Sequence, residues 1–508
     1  MTDNLYGRFR QRFLAHCARP FLTCEDGRRY TYVELEQASG RCAWRLTQLG
    51  LRPGDRLVTQ IDKTPEAVVL YLACLRAGVI YVPLNTAYQA AEVASLLADA
   101  DPRAVVCRPQ AVPVMAELAA RQGIPHVLTL DAAGQGTFPE GLGSLEPDYP
   151  DVPVGPHDVA ALLYTSGTTG RPKGAMLTHG HLWAKADTLT HLWGWRWEDT
   201  LLHAMPIFHT HGLFLSLHCV LASGAGMLFL PRFTVEAVLR HLPRCTVFTG
   251  VPTMYTRLLA SPALDAAACR TMRLFLAASA PLSVETFQAF RARTGHAILE
   301  CWGMTETLTN TANPLDGERR PGTVGFPVPG VEVRVVDAAG RLQPPGAAGG
   351  LEVRTTPRFA GYWRKPDDTR AAFRPDGFFI TGDLGCVAAA GVVTIVGRAT
   401  DLIISGGYNV YPKEVEIAID RVAGVAASAV IGVPHPDFGE GVLAVIERQP
   451  RGGALAEGEI LQQLRGALAP FKVPKRVLLV DALPRNALGK VEKHVLRTRY
   501  QDVFRAAS

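Results

Sequence analysis

Short apolar runs that end in small or turn-forming residues alternate with helical patterns along this chain, and this alternation constrains the fold more than any other feature. The clearest runs cover residues 104–107, 245–250, 274–277 and 297–301. Such runs are typical of buried strands, and the helical stretches between them have the lengths of crossover connections. The pattern therefore predicts an α/β architecture.

The length of the chain, 508 residues, exceeds what one hydrophobic core usually supports, so we expect more than one domain. The pattern changes after Gly397. A Gly-Gly turn at Gly406 and Gly407 precedes a predicted helix over 413–422, strands over 429–433 and 442–447, a helix over 459–469 and a strand over 476–480. This order predicts a small α+β domain. We place the two domains at residues 1–400 and 401–508.

Charge, apolar runs and cysteine spacing exclude several classes of protein. The net charge of +5 is spread along the chain without a block of like charges, which argues against a nucleic-acid partner. No signal-like core and no run of about 18 apolar residues occurs, so we expect a cytoplasmic protein without a membrane span. The ten cysteines form no C-x-x-C pair, which argues against disulfides and structural zinc.

The segment YTSGTTGRPKG, residues 164–174, follows an apolar stretch and is rich in glycine and hydroxyl groups. Glycines let backbone N–H groups approach an anion, and side chains add further donors and a positive charge. The residues concerned are Thr165, Ser166, Gly167, Thr168, Thr169 and Lys173. The spacing differs from that of the kinase and GTPase P-loop. A polar surface turn is the alternative, but the density of donors favours a phosphate-binding loop.

This loop resembles the signature of the adenylate-forming superfamily of acyl-CoA synthetases, luciferases and peptide-synthetase adenylation domains. Further motifs follow in the order of that family: ASAP at 278–281, WGMTE at 302–306, TGD at 381–383, GR at 397–398 and PRNALGK at 484–490. The resemblance covers nearly the whole chain. It implies a large N-terminal adenylate-forming domain of several subdomains, a small mobile C-terminal domain, and an acyl-CoA synthetase that uses ATP, Mg²⁺ and coenzyme A.

The resemblance also implies roles for the residues that would hold ATP. The adenine-binding elements are Ser279, Ala280, Trp302 and Gly303. The family usually has Tyr where this chain has Trp302, which keeps a flat face for stacking. Thr305 would bind the α-phosphate, and Glu306 would be a catalytic carboxylate that binds Mg²⁺.

Two charged residues resemble the family's ribose clamp, and two others resemble its hinge and its catalytic lysine. Asp383 would accept hydrogen bonds from the ribose hydroxyls with Arg398 in support, although each alone would also fit a surface ion pair. Asp401 matches the hinge about which the small domain rotates. Lys490 matches the catalytic lysine that bridges the acid and ATP. The motif around it also resembles a site of inactivating acetylation, so a lysine acetyltransferase is a predicted partner.

The coenzyme A site is implied by the loop around Gly406, Gly407 and Tyr408, which resembles the one that lines the pantetheine channel in the family. Lys472 and Lys475 are candidate contacts for the CoA phosphates. Solvated lysines at a helix end are an equally good interpretation of these two residues.

The acid pocket resembles that of malonyl-CoA synthetases most closely, so malonate or methylmalonate is the predicted substrate. His209 matches a catalytic gating position, with a core histidine as the alternative, and Thr210 and Met304 are further pocket candidates. Arg257 matches one of two arginines that hold the distal carboxylate. The second arginine of the family is replaced here by Cys301.

The replacement by Cys301 leaves several interpretations open. Malonate binds more weakly, His211 or a water compensates, or the substrate is another short carboxylic acid. Cys301 as a nucleophile is disfavoured because no neighbouring residue in the sequence provides a base. A luciferase-like oxidoreductase and a non-catalytic binding protein are the remaining alternatives to a CoA ligase.

Overall fold

The computed structural model describes residues 3–165, 172–405, 408–449, 455–468, 470–486 and 489–504. Within these ranges strands and helices alternate through most of the chain, which confirms the predicted α/β fold. No helix of the described residues is both long and apolar enough to cross a membrane.

The strands, in chain order, are β1 (Pro20–Cys24), β2 (Arg29–Thr31), β3 (Arg56–Gln60), β4 (Ile80–Pro83), β5 (Ala104–Cys107), β6 (His126–Thr129), β7 (Val159–Thr165), β8 (Lys173–Thr178), β9 (Thr200–His203), β10 (Gly226–Phe229), β11 (Val247–Gly250), β12 (Leu274–Ala277), β13 (Leu299–Met304), β14 (Leu308–Ala312), β15 (Phe326–Pro327), β16 (Val331–Val336), β17 (Gly349–Thr355), β18 (Phe379–Val387), β19 (Val393–Arg398), β20 (Ile403–Ser405), β21 (Tyr408–Val410), β22 (Val425–His435), β23 (Gly439–Arg448) and β24 (Arg476–Val480).

The α-helices are α1 (Leu5–Phe13), α2 (Tyr32–Gln48), α3 (Pro65–Ala77), α4 (Ala90–Ala100), α5 (Val112–Gln122), α6 (His179–Leu192), α7 (His218–Ser223), α8 (Val235–His241), α9 (Pro252–Leu259), α10 (Val284–Thr294), α11 (Pro366–Ala371), α12 (Pro412–Asp420), α13 (Glu457–Ala467) and α14 (Lys493–Tyr500). A π-helix covers His211–Leu217. Short 3₁₀ turns cover Leu14–His16, Pro109–Ala111, Leu142–Ser144, Leu242–Arg244 and Ala399–Asp401.

The chain divides into two compact units. The first comprises Met1–Pro321, Gly325–Glu332 and Arg354–Gly377, and the second comprises Gly322–Val324, Val333–Val353 and Phe378–Ser508. Residues 378–400 therefore belong to the same compact unit as the C-terminal residues. The functional boundary at Asp401 stays a prediction.

The first unit contains two largely parallel sheets. Their strand orders are β15-β14-β13-β12-β11-β9-β10-β1-β2 and β6-β5-β3-β4-β7-β8. Strands β9 to β13 pair in parallel, so their carboxyl ends meet at one edge of the sheet, where α/β folds usually place ligands. Strand β13 runs to Met304, beyond the predicted end at residue 301, because it continues into an antiparallel hairpin with β14.

Local sequence signals explain where the helices begin and end. The Thr64 hydroxyl caps α3 by accepting from the Ala67 N–H, Pro65 occupies the first turn, and Gly78 ends the helix in a left-handed conformation with φ of 66°. Helix α2 starts with a reciprocal capping box between Thr31 and Glu34. Local sequence therefore specifies the start of both helices and the end of α3.

Lys63 joins the two sheets of the first unit. It follows β3, and its ammonium group donates hydrogen bonds to the carbonyl of His203 at 2.8 Å and to that of Leu230 at 2.6 Å. Those carbonyls lie at the carboxyl ends of β9 and β10. These two hydrogen bonds therefore attach the carboxyl edge of the sheet that carries the candidate site to the neighbouring sheet.

The second unit contains the antiparallel sheet β16-β17-β18-β19, of which β16 and β17 begin or end in the first unit, and the sheet β21-β20-β23-β22. Strand β24 pairs in parallel with β23. Helices α12 and α13 pack on one face of this second sheet, and α14 packs on the other. The α+β pattern predicted for the C-terminal residues is confirmed, with helix ends within two residues of the predicted ones.

Candidate active site

The candidate site of the first unit is built on the carboxyl edge of β9, β11, β12 and β13. Ser279 follows β12 and has a φ of 73°, a left-handed conformation that is uncommon for a residue other than glycine. Its hydroxyl shares a hydrogen bond of 3.2 Å with Nδ1 of His211. Backbone strain of this kind is found mainly where the surrounding structure fixes a functional residue.

The π-helix places His211 beside this edge, and His209 lies two residues before the helix. His203 Nε2 donates a 3.0 Å hydrogen bond to the carbonyl of Gly212, in the first turn of the π-helix. A Cβ on Gly212 would lie 2.1 Å from the carbonyl oxygen of Pro206, so only glycine permits this close approach. His209 Nδ1 accepts a 3.3 Å hydrogen bond from the backbone N–H of His211. Such π-turns occur frequently at functional sites.

Both histidines are neutral near pH 7. Burial lowers the pKa of His209 to about 4. Burial, followed by the charge of His209, lowers the pKa of His211 to about 3. The Nε2 atom of His211 is buried and has no hydrogen-bond partner among the described residues. These rings can therefore donate or accept hydrogen bonds but supply no positive charge.

The predicted adenine elements lie at the ends of β12 and β13, as expected. Ala280 follows Ser279, and Trp302 and Gly303 lie within β13. A Cβ on Gly303 would lie 2.0 Å from the carbonyl oxygen of Leu308, so glycine is required for the tight hairpin. This hairpin presents Thr305, which is half-buried.

Glu306 lies in the same turn as Thr305 and is buried, with 6% of its surface exposed. Its Oε1 accepts a 2.8 Å hydrogen bond from the Tyr362 hydroxyl. No cluster of three or more His, Cys, Asp or Glu side chains among the described residues forms a metal site. A single carboxylate fits Mg²⁺, which usually takes one or two carboxylates and completes its shell with substrate phosphates and water.

The predicted phosphate loop lies between two antiparallel strands, β7 and β8. Thr165, the last residue of β7, pairs with Lys173, the first residue of β8. The Lys173 ammonium forms a 2.6 Å ion pair with Asp368 and lies 5.3 Å from the ring centroid of Tyr362. The predicted loop residues Ser166, Gly167, Thr168 and Thr169 lie outside the described residues.

The candidates for acid binding differ in their exposure. Arg257 lies in the last turn of α9 and is exposed. Thr210 directly precedes the π-helix, and Met304 ends β13; both are half-buried. Cys301 is buried, and burial followed by the charge of Glu300 raises its pKa well above the usual range. A protonated thiol is a poor nucleophile, so the position next to Trp302 is neutral and unreactive.

The second unit brings three predicted residues together. Asp383 and Arg398 face each other across β18 and β19, and Arg398 Nε lies 2.6 Å from Asp383 Oδ1. The Lys490 side chain is exposed. Although Lys490 keeps contact with solvent, the surrounding protein removes part of the hydration of its ammonium group; this desolvation, followed by the charge of Arg398, lowers the pKa of Lys490, while Asp383 and Asp401 oppose that shift. Lys490 therefore lies within the electrostatic reach of the predicted ribose clamp.

The remaining candidates of the second unit have partners within it. Asp401 accepts a hydrogen bond from Arg497. Lys472 pairs with Glu414, and the ammonium of Lys475 lies 4.6 Å from the ring centroid of Phe438. A CoA phosphate would have to displace or share these partners. Gly406 and Gly407 lie outside the described residues, and Tyr408 is described only as part of β21.

Sequence reasoning missed two residues that the structure places beside predicted ones, Tyr362 beside Glu306 and Asp368 beside Lys173, and it also missed Lys63, which contacts the carbonyls of His203 and Leu230. Tyr362 stands in a Gly-Tyr-Trp stretch, whose aromatic pair was the one available signal. In the sequence, Asp368 is an ordinary acidic residue in the first turn of a helix, and nothing in the pattern links it to Lys173. Lys63 carries no motif, and its role follows from sheet packing.

Comparison with known proteins identifies the family. The family of AMP-binding enzymes matches residues 9–363, and the C-terminal domain of AMP-binding enzymes matches residues 414–490. The chain belongs to the AMP-binding enzyme family. This confirms the predicted resemblance to adenylate-forming enzymes.

Several relatives are named as CoA ligases or CoA synthases. The mitochondrial malonate–CoA ligase of Mus musculus is 34% identical over 92% of this chain and 86% of its own length. A feruloyl-CoA synthase of an Amycolatopsis species is 36% identical over 93% of this chain and 94% of its own length. The crystal structure of ATP-bound MatB from Rhodopseudomonas palustris is 47% identical, with a TM-score of 0.97, over 99% of this chain and all of that one.

The predicted enzyme class is confirmed by these relatives. The chain is an acid–thiol ligase that forms acyl-adenylates, with a carboxylic acid, ATP and coenzyme A as its small-molecule partners. Enzymes of this class use Mg²⁺ with ATP, in accordance with the single carboxylate of Glu306.

Proposed function

We propose that the chain converts malonate, or methylmalonate, to its CoA thioester through an acyl-adenylate, with release of AMP and pyrophosphate. The similarity to malonate–CoA ligases of Mus musculus and Arabidopsis thaliana, over 92% and 93% of this chain, supports this substrate most strongly. Arg257 on α9 supports it as well, because its planar guanidinium can hold a carboxylate with two hydrogen bonds.

The charge balance of the pocket limits the affinity for a dicarboxylate. Cys301 is neutral, and His211 is neutral near pH 7, so neither replaces the positive charge of a second arginine. The loss of one charge-assisted hydrogen bond commonly costs about 1.5 to 3 kcal/mol, or roughly ten- to a hundredfold in affinity. We therefore propose weak malonate binding that depends mainly on Arg257.

In the first half-reaction, a carboxylate oxygen of the acid attacks the α-phosphorus of ATP and pyrophosphate leaves. Lys173 and the hydroxyls of Thr165 and Thr305 are proposed to bind the phosphates, where they stabilise the negative charge that shifts towards the leaving group. Mg²⁺, when bound, neutralises part of that charge, and Glu306 is the residue proposed to hold it. Lys490 is the proposed catalytic cation between acid and ATP.

In the second half-reaction, the thiol sulfur of coenzyme A attacks the acyl carbonyl, the thiol proton is released, and AMP leaves. Asp383 and Arg398 are proposed to bind the ribose, and Gly406, Gly407 and Tyr408 to line the thiol channel. His209 acts in this proposal as a neutral gating side chain, because burial keeps its pKa at about 4.

A second candidate substrate is another short carboxylic acid. The buried thiol of Cys301 favours it, because a neutral and smaller side chain leaves room for a substituent and does not require a second carboxylate. The feruloyl-CoA synthase at 36% identity shows that relatives of similar distance are named for other acids.

The test is ATP- and CoA-dependent thioester formation with malonate, methylmalonate, succinate, acetate, propionate, butyrate and ferulate, with the products identified by mass. We expect malonate to be the preferred acid and Arg257→Met to raise its KM roughly ten- to a hundredfold. Arg270→Met, which changes another exposed arginine of the same unit, is the matched control. Preference for a monocarboxylate that Arg257→Met leaves unchanged would reject malonate.

A reciprocal variant tests the role of position 301. Cys301→Arg should lower the KM for malonate if the pocket lacks one cation. If malonate leads already and the variant improves it, the malonate assignment holds with a weakened pocket. If monocarboxylates lead and the variant introduces malonate activity, Cys301 marks a changed specificity.

We further propose that the functional domains are residues 1–400 and 401–508, with Asp401 as the hinge. Limited proteolysis with and without a non-hydrolysable acyl-adenylate analogue tests this boundary. We expect cleavage near Asp401 to change with the ligand. Cleavage that is independent of the ligand would contradict a hinge at this residue.

The cytoplasmic location and the acetylation of Lys490 remain proposals. Exposure of the Lys490 side chain supports its access to an acetyltransferase, and acetylation would remove its positive charge. Mass spectrometry of the chain from cells with an active acetyltransferase should find the modified lysine together with low adenylation activity. An unmodified Lys490 would reject the proposal, and cell fractionation tests the location.

A further inference from the structure

Tyr362 lies between two charged side chains that have separate predicted roles. Its hydroxyl donates a 2.8 Å hydrogen bond to Oε1 of Glu306. The centroid of its ring lies 5.3 Å from the ammonium of Lys173, at the start of β8. One aromatic side chain thus contacts both the proposed Mg²⁺ carboxylate and the proposed phosphate lysine.

The backbone fixes Tyr362 against β8. Residues Gly361 and Trp363 exchange hydrogen bonds with that strand: Met176 N donates to Gly361 O at 2.9 Å, and Trp363 N donates to Gly174 O at 2.8 Å. The backbone N–H of Tyr362 donates to the Thr369 hydroxyl at 2.8 Å. Tyr362 is therefore positioned by the same strand that carries Lys173.

Close packing around Tyr362 leaves little freedom for its side chain. Gly361 has a φ of 111°, and a Cβ there would lie 2.6 Å from a methyl carbon of Thr369. Tyr362 is 8% exposed, and Glu306 is 6% exposed. A carboxylate can only accept hydrogen bonds, so the Tyr362 phenol is the donor in this buried contact.

We propose that Tyr362 is a positioning residue for the ATP half-reaction, in which its hydroxyl orients the Glu306 carboxylate towards Mg²⁺ and its ring holds Lys173 towards the phosphates. This inference rests on the proposed adenylation function. The two contacts use different parts of the side chain. Removal of the hydroxyl alone therefore affects the Glu306 contact, whereas removal of the ring affects both.

Equilibrium binding of ATP, measured by isothermal titration calorimetry with Mg²⁺ and again with EDTA, separates the two contacts. Wild type should bind ATP more tightly with Mg²⁺. In Tyr362→Phe, the gain in ATP affinity caused by Mg²⁺ should be roughly tenfold smaller than in wild type, because the hydrogen bond lost is one to a charged group. Its ATP affinity in EDTA should stay within about twofold of the wild-type value. Tyr362→Leu should weaken ATP binding in both conditions, because Lys173 loses the ring and keeps only its ion pair with Asp368.

Tyr30→Phe is the matched control. Tyr30 is a half-buried tyrosine of the same unit, and its hydroxyl donates to Oε1 of Glu66 at 3.1 Å. It lies outside the candidate site, so the Mg²⁺ enhancement should equal that of wild type. Thermal melting of each variant shows whether it is folded, and Tyr362→Phe alone decides the result if Tyr362→Leu does not fold.

Acid-dependent ATP–pyrophosphate exchange distinguishes failure of the Tyr362 inference from failure of the proposed function. If wild type shows exchange and Tyr362→Phe keeps the full Mg²⁺ enhancement, the role of Tyr362 is rejected and the proposed function stands. If wild type neither binds ATP nor shows exchange with any acid, the proposed function and this inference both fail.

Discussion

Acidification should destabilise the first unit through its buried histidines. Five histidines of this unit are at most 2% exposed: His179, His181, His203, His211 and His218. Burial is the largest cause that lowers the pKa of each, to about 3 or 4 where the shift has a value and well below 6.5 for His203. The unfolded chain therefore binds more protons than the folded one below pH 6.5.

The magnitude follows from proton linkage. A histidine with an unfolded pKa near 6.5 and a folded pKa below about 4.5 lowers the free energy of unfolding by about 1 kcal/mol between pH 6.5 and 5.5. This loss hardly depends on how far the folded pKa lies below that limit. Five such residues should together remove about 5 kcal/mol, which is comparable with the whole stability of many domains.

Urea unfolding followed by tryptophan fluorescence at pH 6.5 and 5.5 measures this loss. All seven tryptophans belong to the first unit, so the signal reports on the unit that carries the histidines. His218→Gln keeps a polar group near Tyr71, whose hydroxyl lies 2.7 Å from His218 Nε2, and should reduce the loss by about 1 kcal/mol.

His157→Gln is the matched control, because an exposed imidazole contacts water in both the folded and the unfolded chain. It should leave the loss unchanged. A loss below about 1 kcal/mol in wild type between these two pH values would refute the reasoning.

Three further predictions concern packing, a buried ion pair and the division of the reaction. Gly212→Ala places a Cβ 2.1 Å from the carbonyl oxygen of Pro206, so urea unfolding should show a loss of about 1 to 3 kcal/mol, and an unchanged midpoint would contradict the packing argument. Arg273→Ala leaves the buried carboxylate of Asp199, 3% exposed, without its bidentate partner and should cost about 3 to 5 kcal/mol. The double variant Arg273→Met with Asp199→Asn should lose less, and an equal loss would contradict the charge argument. Lys490→Ala should abolish ATP–pyrophosphate exchange while thioester formation from a supplied acyl-adenylate continues, and equal loss of both would contradict separate roles of the two domains.

Much of the fold follows from local sequence because buried parallel strands are short apolar runs. Strands β5, β12 and β24 begin and end at the predicted residues. Strand β13 is longer than predicted because its last residues pair with β14 in a hairpin that requires Gly303, and no apolar pattern signals that pairing.

The candidate site could be predicted only where a motif is continuous in sequence. Ser279 and Glu306 each follow a strand within a few residues, so the sequence places them at one edge of the sheet. The contact between Glu306 and Tyr362 joins residues 56 positions apart, and tertiary packing alone creates it. The neutral state of His211 also depends on burial, which a motif does not encode.

The π-helix over His211–Leu217 makes the orientation of His211, in the proposed acid pocket, depend on the number of residues in this segment. A π-turn holds more residues than an α-turn, so deletion of a single residue would rewind this segment as α-helix. Each residue of an α-helix turns by about 100°, and such a deletion would rotate His211 away from Ser279 without changing the chemistry of either residue. Homologues that differ by one residue in this segment should therefore present a different side chain to Ser279.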